Sequence, residues 1–195
     1  MCNLYTQTSA PEAMSRLFAK LQMPLRFPEG IPNLRPRDVR ITDPAPVVRA
    51  VAGEPGGYEL IVRRWSWPGP GGKPVYNFRS DGRAFTSGRC LILADGFYEY
   101  TAPADPKQKR KDRWLFTLPD GEPMAIAGLI RESAGLGEAF TMLTTEPGPD
   151  VAPYHSRQVA VLPSDAWRNW LDHRIPERDL LRPSPPGTLT VRAAA

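Results

Sequence analysis

Cys2 stands directly behind Met1, in a chain with two cysteines and two histidines. That position offers a chemistry no internal cysteine has. Once methionine is removed, one residue carries both a thiol and the chain's α-amine, a 1,2-aminothiol. An α-amine titrates at roughly 7.7–8.0 and a thiol at about 8.5, so near neutral pH both are partly nucleophilic. With an aldehyde, the amine gives an imine and the sulfur then closes a five-membered thiazolidine. With an amide or ester, the thiol alone is the acyl acceptor. The competing reading is a small apolar residue buried near a strand start, and position alone does not separate the two.

Other side chains could assist. In "ADGFYEY", strand alternation puts Phe97 and Glu99 on one face and Tyr98 and Tyr100 on the other. A carboxylate among apolar neighbours is costly, and burial would lift its pKa toward proton transfer at neutral pH; at a sheet edge it would be solvated or paired with an arginine. His155, in "APYHSRQVAVL", sits in a proline-punctuated turn ahead of an apolar strand, with Arg157 two residues on; rigid scaffolds commonly present catalytic groups from such turns. His173 reads as a helix-end or solvated histidine. Asn77 and Arg79, at i and i+2 in "VYNFRSDG", point the same way in an extended backbone, where an amide and a guanidinium suit a carbonyl and a phosphate. In "RRWSWP", Trp65 and Trp67 stand beside Arg63 and Arg64. This is the composition of a surface that stacks bases and neutralises phosphates, or of core tryptophans on a strand. The basic run 107–113 is a solvated loop that adds sequence-independent attraction to a polyanion. Cys90, followed by Leu91, Ile92 and Leu93, reads as core. No C-x-x-C or H-x-x-x-H spacing supports a metal, and no cofactor is expected.

The elements that must position these groups follow from composition and pattern. The 195 residues are 41% hydrophobic and 24% charged, enough for one buried core in one domain. The formal net charge is +4 and the pI about 9.3, which favours a polyanionic partner such as nucleic acid over an acidic protein. Two cysteines cannot build a disulfide framework, and the start lacks a basic segment followed by an apolar run, so a reducing cytoplasm is expected. No apolar stretch approaches the ~20 residues of a membrane-spanning helix. The 23 prolines and 16 glycines favour short strands with frequent turns. Ser9 and Glu12 form a capping box for a helix with Pro11 in its first turn and Met14, Leu17, Phe18 and Leu21 on its core face. Runs beginning at Val47, Tyr58, Arg89, Arg113, Met124, Ala139 and Val159 predict strands. Ser164 is expected to cap a helix carrying Trp167, Trp170 and Leu171, and Pro176 to open a short one ending at Leu181. Segments 67–74, 101–113 and 182–187 read as loops, with a core over about 2–181 and a proline-rich tail over 182–195.

The order of Met-Cys, a "W…N-x-R" segment, "GRCL…GFYEY", "LTTEP" and a "P-x-H-x-R" turn resembles the SRAP family (SOS response-associated peptidase), the abasic-site-processing proteins, from Cys2 to about Leu181. The chain departs from the family pattern at Asn3-Leu4-Tyr5, Ser66, Leu93 and Gln158-Val159. The resemblance implies an α+β fold, a single domain with a barrel-like, mostly antiparallel β core and a few flanking helices. It implies covalent capture of ring-opened abasic sites in single-stranded DNA as a thiazolidine on Cys2. In that reading Asn77 orients the N-terminal residue or the opened sugar, and Arg79 holds a phosphate. Glu99 moves protons, and His155 assists ring opening and reversal. Trp65, Trp67, Arg63, Arg64 and Arg157 complete the expected DNA contacts. A monomer in a bacterial cytoplasm, nucleoid-associated when bound to DNA and with no membrane partner, is the corresponding expectation. Two other readings stay open: an N-terminal-nucleophile cysteine hydrolase, peptidase or amidotransferase, and a non-catalytic single-stranded DNA-binding module.

Overall fold

The short β-branched and aromatic runs become strands, each ended by a glycine, proline or acidic turn. The computed structural model describes residues 2–105 and 107–194. In chain order these contain β1 (Leu4–Gln7), α1 (Pro11–Lys20), β2 (Leu25–Arg26), β3 (Arg37–Arg40), β4 (Pro44–Ala50), β5 (Tyr58–Trp65), β6 (Trp67–Pro68), β7 (Pro74–Val75) and β8 (Asn77–Arg79). There follow β9 (Arg89–Ala94), β10 (Gly96–Thr101), β11 (Asp112–Thr117), β12 (Met124–Ser133), β13 (Gly137–Thr145), β14 (Gln158–Val159), β15 (Val161–Leu162), α2 (Trp167–Leu171), α3 (Glu177–Leu180) and β16 (Thr190–Ala194).

Five of these strands close on themselves. Antiparallel pairing runs β13-β12-β9-β4-β5, and β5 returns to β13 in parallel through Arg64↔Ala139 and Trp65↔Phe140. The result is the barrel-centred α+β domain that the resemblance implies. β8 lies parallel to the far end of β13. A second sheet, ordered β16-β11-β10-β1-β3, holds the first described strand between β10 and the edge strand β3. Alternation divides the apolar residues into two layers. One face of the barrel strands, including Val47, Ile61, Trp65, Ile92, Ile126 and Phe140, packs with Tyr5, Phe97 and Phe116 of the second sheet. The other face, including Val48, Leu60, Leu91, Leu93 and Ala127, packs with Met14 and Phe18 of α1 and Trp167 and Trp170 of α2. Gly128 on β12 permits this density: a Cβ there would come within 2.2 Å of Ile92 Cδ1 and 2.8 Å of the Thr141 carbonyl oxygen.

The structure corrects several sequence expectations. Ser9 does not cap α1. Its hydroxyl donates to Asp95 Oδ1 at 2.6 Å and its backbone N–H to Asp95 Oδ2 at 3.0 Å, charge-assisted bonds that draw Ser9 to the carboxylate rather than to the helix start. Ala10 takes the cap position without a side-chain bond, and Pro11 opens the helix. Ser164 likewise makes no cap; it starts a single 3-10 turn, preceded by Pro163, that leads into α2. The run 89–100 breaks after Ala94, so that β9 belongs to the barrel and β10 to the second sheet. Segment 67–74 contains a small ladder, with Trp67 opposite Val75. The proline-rich tail is not all loop: β16 pairs with β11 along its whole length and makes the outer strand of the second sheet. Among the described residues no helix is long and apolar enough to cross a membrane.

Candidate functional site

β1 holds the chain start against the second sheet. It pairs with β10 through Tyr5↔Phe97 and with β3 through four residues, so Cys2 is delivered beside the far half of β10. Cys2 is 1% exposed. Each of its polar groups is engaged. The backbone N–H lies beside the Glu99 carboxylate and favours its charged form, the carbonyl accepts Asn77 Nδ2 at 2.7 Å, and Sγ donates to the Leu4 carbonyl at 3.2 Å, with the Tyr98 backbone amide acting electrostatically on the sulfur. The nitrogen, carbonyl and sulfur of one residue are therefore fixed by three different strands.

The electrostatics of the pair are set by enclosure. Burial, reinforced by the nearby Glu99 charge, pushes the Cys2 thiol up to about 12, so at neutral pH the sulfur carries its proton. Glu99 is itself 1% exposed, and burial raises its carboxyl to about 7, against the opposing pull of the chain's N-terminal charge and, more weakly, of the Cys2 backbone N–H. A carboxyl in that range both accepts and returns a proton near neutrality. The nitrogen it holds is the one that becomes the α-amine when Met1 is removed.

Asn77 reaches Cys2 because β8 rides on β13, with Asn77 opposite Met142 and Arg79 opposite Thr144. Asn77 Oδ1 is enclosed and accepts no hydrogen bond among the described residues, which leaves an acceptor next to Cys2. Arg79 is exposed and forms no ion pair among the described residues. His155 is half-buried. Its Nδ1 accepts the Arg157 backbone N–H at 2.9 Å, which leaves Nε2 to carry the ring proton, and burial lowers its pKa so that the ring is neutral at pH 7.

Four expected DNA contacts are occupied elsewhere. Trp65 is fully buried; its Nε1 donates to the Tyr76 carbonyl at 2.9 Å and its ring meets Tyr5 edge to face. Trp67 is 3% exposed and the Arg131 guanidinium covers its ring at 4.2 Å, so it offers no open face to a base. Arg63 is ion-paired to Glu138 at 2.8 Å and Glu29 at 2.7 Å. Arg157 is buried, donates to the Thr144 carbonyl at 2.8 Å and pairs with Asp81 at 2.7 Å. It is a brace for the His155 turn, and its guanidinium holds the Asp81 carboxyl below the usual range. Arg64 is half-buried with its Nε enclosed and without a partner among the described residues.

One aromatic pair was missed from the sequence. Trp114 lies opposite Glu99 in the β10–β11 register, hence on the same face of the sheet, and its ring packs on Tyr154 at 4.9 Å between centroids. Tyr154 immediately precedes His155. The alternation in "RWLFT" held the signal, but only the pairing register ties it to Glu99. Cys90 is fully buried in the apolar layer, and among the described residues no three His, Cys, Asp or Glu side chains come together to hold a metal ion.

Comparison with known proteins places this arrangement. The sequence model of the family described as SOS response associated peptidase (SRAP) matches residues 1–194. No curated protein matches the chain. Among solved structures, a Bordetella bronchiseptica protein is similar over 100% of both chains at 24% identity, with a TM-score of 0.72. A Bacteroides thetaiotaomicron protein is similar at 15% identity over 100% of this chain and 92% of its own, with a TM-score of 0.76. A phage-related protein, also from Bordetella bronchiseptica, is similar at 21% identity over 99% of this chain and 94% of its own, with a TM-score of 0.75.

Proposed function

The chain belongs to the SOS response associated peptidase (SRAP) family, and from that premise we propose that the mature chain, beginning at Cys2, cross-links itself to ring-opened abasic sites in single-stranded DNA. The observation that carries the reading is the buried Glu99 carboxyl beside the Cys2 nitrogen, which acts on its titration. A buried carboxyl raised to about 7 is already in place on the atom that must lose and regain protons.

The steps follow from that juxtaposition. Glu99 takes a proton from the Cys2 ammonium, and the free amine adds to the aldehyde carbon of the opened deoxyribose. Glu99 then returns the proton to the carbinolamine oxygen, which leaves as water and gives the imine. The Cys2 sulfur adds to the imine carbon, its proton passing to the nitrogen, and the thiazolidine closes with a net loss of one water. Asn77 pins the Cys2 carbonyl and thereby the angle between amine and thiol; its open Oδ1 accepts a sugar hydroxyl. Neutral His155 serves the sugar ring, donating from Nε2 as the hemiacetal opens. Arg79 supplies a phosphate contact beside the lesion. Because Cys2 is enclosed while Met1 precedes it, the reading requires that loss of Met1 uncover the amine and sulfur.

The test is incubation with an oligonucleotide carrying one abasic site, read by intact mass. The expected species weighs protein minus methionine plus DNA minus one water. A chain that has lost Met1 and still gives no adduct overturns the proposal. The family description names a peptidase, and a hydrolase would instead cleave peptide or glutamine amide without DNA. A plain DNA-binding module would show the same strand retention on a denaturing gel after Cys2→Ala, that is, none in either protein.

A further inference from the structure

The cations of this chain fall into two classes. Arg49 pairs with Glu59 and Glu138, Arg63 with Glu138 and Glu29, and Arg89 with Glu177, all within 2.8 Å. By contrast Lys107, Lys109, Arg110 and Lys111 are exposed and have no carboxylate partner among the described residues. The nearby acids are used inside the loop: Asp105 accepts the Lys107 N–H at 2.9 Å and Asp112 accepts Gln108 Nε2 at 2.9 Å. A cleft of about 790 Å³ opens beside this loop, lined by Tyr100, Arg110, Lys111, Arg113, Trp114 and Ala193.

The sheet register ties this cleft to Cys2. Trp114 stands opposite Glu99, on its face of the sheet, with its ring on Tyr154, the neighbour of His155, while Tyr100 and its partner Arg113 belong to the other face and meet the cleft at the sheet's end. Lys111 also acts electrostatically on His155. A half-buried indole at the edge of a groove, beside Lys109, Arg110 and Lys111 with no carboxylate partner among the described residues, is the chemistry of single-strand recognition, in which aromatics stack bases and cations track phosphates. Trp65 and Trp67, which the sequence left open between base stacking and core packing, are packed away, whereas Trp114 lines the cleft.

We propose that the cleft between the 107–113 loop and Trp114 is a second DNA subsite, which takes the single strand on one side of the lesion. Lys109, Arg110 and Lys111 contact its phosphates, and Trp114 is the platform for one base. The inference rests on the cross-linking reading for the lesion, but its own claim concerns the undamaged flank.

Fluorescence anisotropy with an intact 15-nucleotide single strand tests it, using the full chain and two variants. The loop residues are exposed, so Lys109→Ala/Arg110→Ala/Lys111→Ala should fold normally and weaken binding about 10-fold or more at low salt. Its plot of log K against log salt should be shallower by about 2, since each released phosphate contact on single strands contributes about 0.7. Trp114→Ala should weaken binding about 10-fold with little change in that slope. With abasic oligonucleotides shortened from either end, only one direction of shortening should slow wild-type cross-linking to the rate of the triple variant. Unchanged affinity and slope in the triple variant overturn the subsite. Equal losses on duplex and single strand overturn its single-strand assignment, and wild-type affinity in Trp114→Ala overturns the base platform. If instead the wild-type chain shows salt-sensitive binding that the triple variant loses, yet never forms an adduct, the cross-linking reading fails and the subsite stands.

Discussion

Cys2 and Cys90 are equally enclosed, 1% and 0% exposed, and burial raises both thiols. What differs is their company. Cys90 sits on β9 opposite Gly128, among Ile92, Ile126 and other apolar side chains. Cys2 has a carboxylate on its nitrogen, an amide on its carbonyl and two backbone groups on its sulfur. The Cys90 carbonyl also accepts a side-chain N–H, from Trp170 at 2.9 Å, but a thiol with only apolar neighbours is packing. Burial with a titrating carboxyl on an adjacent atom is a place where proton transfer can be arranged.

The contrast is broken most severely by removing each sulfur in turn. Cys2→Ala should take abasic-site cross-linking to the background of the gel, a loss of at least about 10³-fold for a covalent nucleophile. Cys90→Ala should cross-link at the wild-type rate while losing about 1–2 kcal/mol of stability in urea to the cavity it leaves. A covalent band that survives Cys2→Ala and vanishes with Cys90→Ala would reverse the assignment.

Glu99→Gln sharpens the contrast next, because it keeps the shape and removes the titration. Cross-linking should slow about 10²-fold, the lower end of what a positioned acid-base group contributes. The same variant has a stability signature. The Glu99 carboxyl lies at about 7 in the fold, against an ordinary value of 4.5. Below 4.5 it is protonated whether the chain is folded or not; between 4.5 and 7 the unfolded chain ionises first, so stability falls as pH rises, by up to about 1.4 kcal/mol per unit. Above 7 the loss is complete. His155, lowered by burial, acts in the opposite sense below its ordinary value of 6.5. The difference between wild-type and Glu99→Gln urea midpoints across pH 4–8 therefore isolates Glu99, and a difference independent of pH would remove it from the proton-transfer role.

The smallest effect belongs to Asn77→Ala. Losing the 2.7 Å bond to the Cys2 carbonyl should slow cross-linking about 10-fold, the value of one hydrogen bond of roughly 1.4 kcal/mol, with binding of intact strands unchanged. A matching loss of intact-strand binding would make Asn77 a DNA contact and not an orienting group.

How much of this was legible in the sequence follows the reach of each interaction. The strand runs and the α1 stripe of Met14 and Phe18 depend on neighbours within a few residues, and they are read directly. Glu99 stands out because a carboxylate interrupts an apolar strand, and Asn77 because it shares a strand face with Arg79 two residues on. The errors share one cause. Trp65 is held by Tyr76 and Tyr5, Trp67 by Arg131, Arg63 by Glu138 and Glu29, Arg157 by Asp81, and Ser9 by Asp95. In nearly all of these the partner comes from another strand or turn, and no local pattern announces a cross-sheet partner. Trp114 was missed for the same reason: its relation to Glu99 exists only in the register of β10 with β11.

The parallel seam between β5 and β13 has a consequence for the order of assembly. It rests on two residue pairs and the Ser66 N–H bonded to the Phe140 carbonyl, and it joins segments far apart in the chain, so loop entropy makes it a late event in folding. β8 is carried on that same β13 strand. β8 continues along β13 just beyond the seam, and from there Asn77 grips the Cys2 carbonyl. Amide protons at Ser66 and Phe140 should thus exchange with the same opening that disengages the cysteine, which makes the reactive end a reporter of whether the barrel has finished closing.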